Sequence, residues 1–176
     1  MVSPDMLRRY DCFAGISEAT IAALSRIGEV QSWDAGERLF MGGVRPRFLY
    51  LVIEGMVDIQ VEAGGSERVV VDSVGPGDLL LWSAVVEPHV TTASGVARTP
   101  VLVIGLRAGE LRQLLEREHT LGFRLMQSVS RSLSERLGGA FVQLATGQGQ
   151  PSGWRNGRQG AGDKTPYANS RSGGPG

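Results

Sequence analysis

Glycine turn signals recur at Gly36, Gly42-Gly43, Gly55, Gly64-Gly65, Gly75 and Gly95, and this spacing limits what the middle of the chain can fold into. The segments between them are short and rich in β-branched and aromatic residues, as in "RFLYLVIEGMVDIQVEAGG" and "SERVVVDSV". Val57, Ile59 and Val61 alternate with polar residues, the period-2 pattern of a strand with one wet face. "TPVLVIGL" is uniformly apolar and reads as a final buried strand. Many short strands interrupted this often indicate a sandwich, a barrel or a jelly roll.

Helical patterning flanks the β region. In "GISEATIAALSRIGE", Ser17 is placed as an N-cap with Glu18 behind it, and Ile21, Leu24 and Ile27 fall on one face. "AGELRQLLERE" predicts a further helix, and after a break near His119 "TLGFRLMQSVSRSLSERLGGAFVQL" predicts a long one. Met126, Val129, Leu133, Leu137, Ala140 and Leu144 form a narrow apolar stripe on it, with Arg124, Arg131, Glu135 and Arg136 off the stripe. Such a stripe packs either on the chain's own β region or along a parallel copy in a homodimer. Gly138-Gly139 is expected to loosen the end of this helix, since glycine costs about 1 kcal/mol in a helix interior. The β region spans about 30–107 and the C-terminal helices about 108–144. The residues from 145 to 176 are crowded with Gly, Pro, Ser and Asn and nearly empty of aliphatics, so a disordered tail is expected there.

Composition excludes several classes. Four of the eighteen basic residues lie in that tail, against one of the eighteen acidic residues, so the body carries 14 basic and 17 acidic side chains. A net-acidic body is a poor surface for nucleic acid. Cys12 is the only cysteine, which excludes an intrachain disulfide and a cysteine metal cluster. The two histidines, His89 and His119, are too few and too far apart for a histidine-based metal centre, so no metal is expected. His89 reads as a solvated loop residue. There is no Gly-X-Ser-X-Gly elbow, and the Gly-Gly of "VEAGGSER" lies between strands rather than opening a helix. No catalytic residue is assigned. No signal-peptide or membrane-length apolar run occurs, so a cytoplasmic location without membrane contact is expected.

The order of helix, Gly-punctuated strands, short helix and long helix resembles the cyclic-nucleotide-binding domain of the Crp/Fnr regulators and of cyclic-nucleotide-regulated kinases and channels. "WDAGERLFMGG" resembles the family's strand–turn–strand opening, "RFLYLVIEGMVDIQV" its central hairpin, and "VGPGDLL" the turn that enters its phosphate-binding cassette. The resemblance covers roughly residues 6 to 144. It implies a double-stranded β-helix, the jelly-roll or β-roll of this family, with short N-terminal helices and a long C-terminal helix.

The cassette departs from the pattern. The family continues with Phe-Gly-Glu and later places an arginine before a small hydroxylated pair; the glutamate takes the ribose hydroxyl and the arginine the cyclic phosphate. Counted from Gly77 and Asp78, the Phe-Gly-Glu places fall on Leu80, Leu81 and Trp82, followed by Ser83 and Ala84. Counted back from Ala97, the arginine place falls on Thr91, or on Val90 if the loop differs by one residue, ahead of Thr92, Ala93 and Ser94. Each lost charge-assisted bond is worth about 1.5–3 kcal/mol, so losing both weakens binding by orders of magnitude. A cyclic nucleotide is therefore disfavoured as ligand. Gly77, Asp78, Leu81, Trp82, Ser83, Ala84, Thr91, Thr92 and Ser94 remain candidates for contact with another small molecule, through hydroxyls and the amides that start the cassette helix. Trp82 either stacks on a planar ligand or plugs the pocket. Some thirty residues follow Leu144 without a helix-turn-helix pattern, so sequence-specific DNA binding is not expected. A non-catalytic sensor module is the leading expectation, with a structural or protein-interaction module that has lost its ligand site as the alternative and a genuine cyclic-nucleotide-binding regulator with an atypical cassette as the second. Met126, Val129, Leu133 and Leu137 are the candidate homodimer contacts.

Overall fold

A computed structural model describes residues 1–62 and 68–146. The Gly64-Gly65 turn and the predicted tail from 147 onward lie outside the described residues. Eight strands run from β1 (Gly28–Trp33) to β8 (Val101–Arg107), with β2 (Arg38–Phe40), β3 (Phe48–Glu54), β4 (Val57–Glu62), β5 (Arg68–Val74), β6 (Leu79–Leu80) and β7 (Ser94–Ala97) between them. They form two four-stranded antiparallel sheets, in the orders β1-β8-β3-β6 and β2-β7-β4-β5. This is the expected jelly roll.

The two sheets bury their residues differently, which explains the two sequence patterns. Leu49, Leu51, Ile104 and Leu106 face the helices, while Tyr50, Val52, Val101 and Val103 face the space between the sheets. Both faces of β3 and β8 are therefore dry, and their sequences show no polar alternation. In β4 only Val57 and Ile59 point inward, so "VDIQV" alternates. Each fully buried Leu or Ile contributes about 1.5–3 kcal/mol, and the layer shared by β3 and β8 is where these residues concentrate.

One sequence expectation is corrected. "RFLYLVIEGMVDIQV" is not a hairpin: β3 and β4 belong to different sheets, and Gly55 is the corner between them. Gly55 has φ +86°, and a Cβ there would lie 2.1 Å from the Pro100 carbonyl oxygen, so only glycine fits. The β7–β8 connection crosses beside it, with Arg98 N–H donating to the Met56 carbonyl (2.8 Å) and Met56 N–H to Thr99 Oγ1 (3.0 Å).

The helices form as read, and the last runs past its expected end. Ser17 caps α2 (Glu18–Ile27) by accepting from Thr20 N–H at 3.2 Å. α1 (Pro4–Leu7) and a 3-10 turn at Asp11–Phe13 precede it. α3 (Ala108–Arg117) leads to α4 (His119–Thr146), which packs on the Asp11–Phe13 turn, α3 and β6. α4 passes through Gly138-Gly139 and beyond the expected limit at 144; a local cost of about 1 kcal/mol per glycine does not end a helix of this length. The apolar stripe divides. Val129 is buried, and Met126 and Leu133 pack against the helix-side core, whereas Leu137 is 55% exposed. The side chain of Leu144 lies outside the described residues.

Burial pushes the Tyr10 hydroxyl, the Cys12 thiol and the Tyr50 hydroxyl each up to about 12, from ordinary values of 10.0, 9.0 and 10.0. All three are acids held neutral by desolvation, so the fold favours their protonated forms. Their contribution to stability is complete below about pH 9 and is lost as pH rises toward 12. Urea midpoints measured from pH 7 to 11 are expected to stay level to pH 8 and then fall steadily; a midpoint unchanged at pH 11 would contradict this burial.

Candidate functional site

The cassette is built from a tight turn, a two-residue strand and a single helical turn. Asp78 Oδ2 accepts from Gly75 N–H at 2.8 Å, and Asp78 N–H returns to the Gly75 carbonyl at 3.1 Å. Gly77, at φ +91°, closes this turn and donates to the Val52 carbonyl at 2.9 Å. These contacts hold β6 against β3. Leu81 then adopts φ 61°, ψ 41°, a left-handed conformation that costs a non-glycine residue about 1–2 kcal/mol. Its buried side chain in the intersheet core offsets the cost. Trp82–Ala84 form one 3-10 turn, much shorter than the expected cassette helix.

Side chains outside the cassette fasten that turn. Arg112 Nη1 donates to the Ala84 carbonyl at 2.8 Å. His89 Nδ1 lies 3.0 Å from the Ser83 carbonyl oxygen; it is half-buried and bonded rather than a solvated loop residue. At the far end, the Thr91 side chain faces the main chain. Its Oγ1 lies 2.6 Å from the Met41 carbonyl oxygen and 3.0 Å from that of Val44, and accepts from Val44 N–H at 3.1 Å. Ser94 Oγ likewise accepts from Gly42 N–H at 3.0 Å. An apolar residue at 91 would lose these side-chain bonds, each worth about 0.5–1.5 kcal/mol. The Thr91 hydroxyl is a brace for the 41–44 turn.

The cavity over the cassette measures about 50 Å³. Leu80 to Ser83 and Thr91 to Ala93 line it, together with Phe40, Ile59 and Arg136. Of the nine candidate ligand residues, Leu81, Trp82, Ser83, Thr91 and Thr92 meet there. Gly77 and Asp78 build the preceding turn, Ala84 belongs to the helix-side core, and Ser94 is tied to Gly42. Trp82 lines the cavity while packing against the same helix-side core, the geometry of a plug. A wider groove of about 570 Å³ between Met1–Pro4 and Ala22–Arg26 is open and apolar, with Arg26 as its only charged side chain; it shares no residue with the cassette.

Arg136 was missed by reasoning along the cassette. It arrives from α4, far along the chain from the cassette, with Nε 3.0 Å from Asp72 Oδ2 and Nη2 3.4 Å from the Leu79 carbonyl oxygen. The Asp72 contact is an ion pair without hydrogen-bond geometry: Oδ2 is buried and accepts no hydrogen bond among the described residues. Both partners keep partial contact with solvent, so screening limits the pair to about 1 kcal/mol. Two signals pointed to these residues. Arg136 stands seven positions after buried Val129 on the inward side of α4, and Asp72 interrupts an apolar strand two residues before buried Val74.

Among the described residues, no group of His, Cys, Asp and Glu is placed to hold a metal ion, and no helix is long and apolar enough to cross a membrane. Residues 30–118 match the family model described as the cyclic nucleotide-binding domain. A CRP-like cAMP-activated global transcriptional regulator of Mycobacterium tuberculosis is 24% identical over 129 residues, covering 73% of this chain and 58% of the relative; the chain thus spans little more than half of that regulator's length. The crystal structure of a putative cyclic nucleotide-binding protein from Geobacter metallireducens is 31% identical, with 78% of this chain and 99% of that one covered and a TM-score of 0.68. The N-terminal domain of a transcriptional regulator from Streptomyces coelicolor is 28% identical, with 74% and 92% covered and a TM-score of 0.59. With this fold, this cassette and these matches, the chain belongs to the cyclic nucleotide-binding domain family.

Proposed function

We propose that this chain is a non-catalytic, cytoplasmic sensor module whose cassette does not take cAMP or cGMP in the family's usual way. The observation that carries the reading is the cavity itself. At about 50 Å³ it is far below the ~300–1,000 Å³ of ordinary small-molecule sites, and the cassette lends it neither a carboxylate nor a guanidinium. Trp82 stands where the ribose-binding glutamate is expected, and the Thr91 hydroxyl is committed to the main chain. The module acts through α4, which touches both the cavity and the core; a ligand shifts that helix only by binding its two positions unequally. The cAMP-activated transcriptional regulation of the mycobacterial relative is not carried over to this chain. Calorimetric titration with cAMP and with cGMP is expected to give no saturable heat below about 1 mM, and a micromolar dissociation constant for either would overturn the reading.

A second reading, a protein-interaction module, is favoured by the outer face of α4. Phe123 and Phe141 lie eighteen residues, five helical turns, apart and so share a face, with Leu137 beside Phe141. They are 64%, 60% and 55% exposed. Such a row suits a homodimer seam, although it is not the seam formed by Met126, Val129 and Leu133, which serve the chain's own core. Light scattering after size exclusion is expected to give a dimer mass for the wild type and a monomer mass for Leu137→Asp/Phe141→Asp. A monomeric wild type would contradict the homodimer.

A further inference from the structure

We infer that Arg136 is the anion-recognition group of the cassette cavity, held in reserve by Asp72, and that a small oxyanion entering the cavity takes the guanidinium from that carboxylate. The inference rests on the sensor reading and names the chemistry of its ligand. A guanidinium offers five N–H donors in a planar fork suited to two parallel bonds with a phosphoryl or carboxylate group. Arg136 makes no such paired contact. Its Nε meets Asp72 Oδ2 at 3.0 Å outside hydrogen-bond geometry, and its one hydrogen bond, to the Leu79 carbonyl, is long at 3.4 Å.

Two hydroxylated residues, Ser83 and Thr92, line the cavity beside Arg136 and could add donors to a bound oxyanion. A cavity of about 50 Å³ has room for only a few water-sized groups, which fits an inorganic oxyanion or the head group of a small metabolite and excludes a whole nucleotide.

Asp72 is placed to compete. It lies directly across from Ile59, a cavity-lining residue, where the β4–β5 register shifts between Ile59 and Gln60. Its Oδ1 is already fixed by Ser73 N–H at 2.8 Å, so the strand holds the carboxylate in place after Arg136 leaves it. An arriving anion therefore breaks a link between α4 and the sheet containing β5 without unmaking either element.

The test follows the Arg136 Nε–H resonance while the protein is titrated, at constant ionic strength, with inorganic phosphate, with acetate and with chloride as the control. Phosphate or acetate is expected to give a saturable shift that chloride does not. Asp72→Asn should tighten that binding at least about tenfold, Arg136→Gln should abolish it, and Ser83→Ala should weaken it. If Asp72→Asn fails to fold, Asp72→Ser serves the same purpose. The inference falls if phosphate and acetate act only as chloride does, if removing the Asp72 charge leaves affinity unchanged, or if Arg136→Gln binds as the wild type. A parallel cAMP titration keeps the two readings apart. Tight cAMP binding overturns the sensor reading, while the phosphate and acetate arms alone decide the role of Arg136.

Discussion

The arrangement depends on a pair of neighbouring strands, β3 and β8, that have no wet face. One side of the pair closes the jelly roll and the other receives α2, α3 and α4, so one layer of Leu, Val and Ile side chains joins the roll to its helices. Because interiors pack without slack, a change on one side of such a layer is felt on the other. α4 can therefore stand over the cassette and still be part of the core through Leu121, Leu125 and Val129.

Within that frame the cassette is built from the Gly75–Asp78 turn, the left-handed residue at 81 and the short helical turn after it. Trp82 fills space against the helix-side core, and Thr91 stitches the cassette to the 41–44 turn. A guanidinium reaches the cavity from α4, with a strand carboxylate as its partner.

Much of this was legible in the residues. The Ser17 cap, the alternation of "VDIQV" and the unbroken apolar run of "VLVIGL" each reported a local physical requirement, and each element formed accordingly. The corner at Gly55 was not legible, because a glycine with left-handed φ serves a hairpin and a sheet crossing equally well. What separates them is the Pro100 carbonyl, brought beside Gly55 by the fold alone. The apolar stripe of α4 was ambiguous for a related reason: Val129 and Leu137 have the same character, and only the end of the roll decides which is covered. Arg136 was hidden by distance along the chain: only the topology brings it to the cassette cavity and against Asp72.

The most direct test of a retained cradle with relocated charge is a crystal structure of the protein grown with millimolar cAMP. The cavity is expected to hold no nucleotide, with Trp82 in place and Arg136 still against Asp72. A cyclic nucleotide seated over Trp82–Ala84, its phosphate held by the cassette, would contradict it.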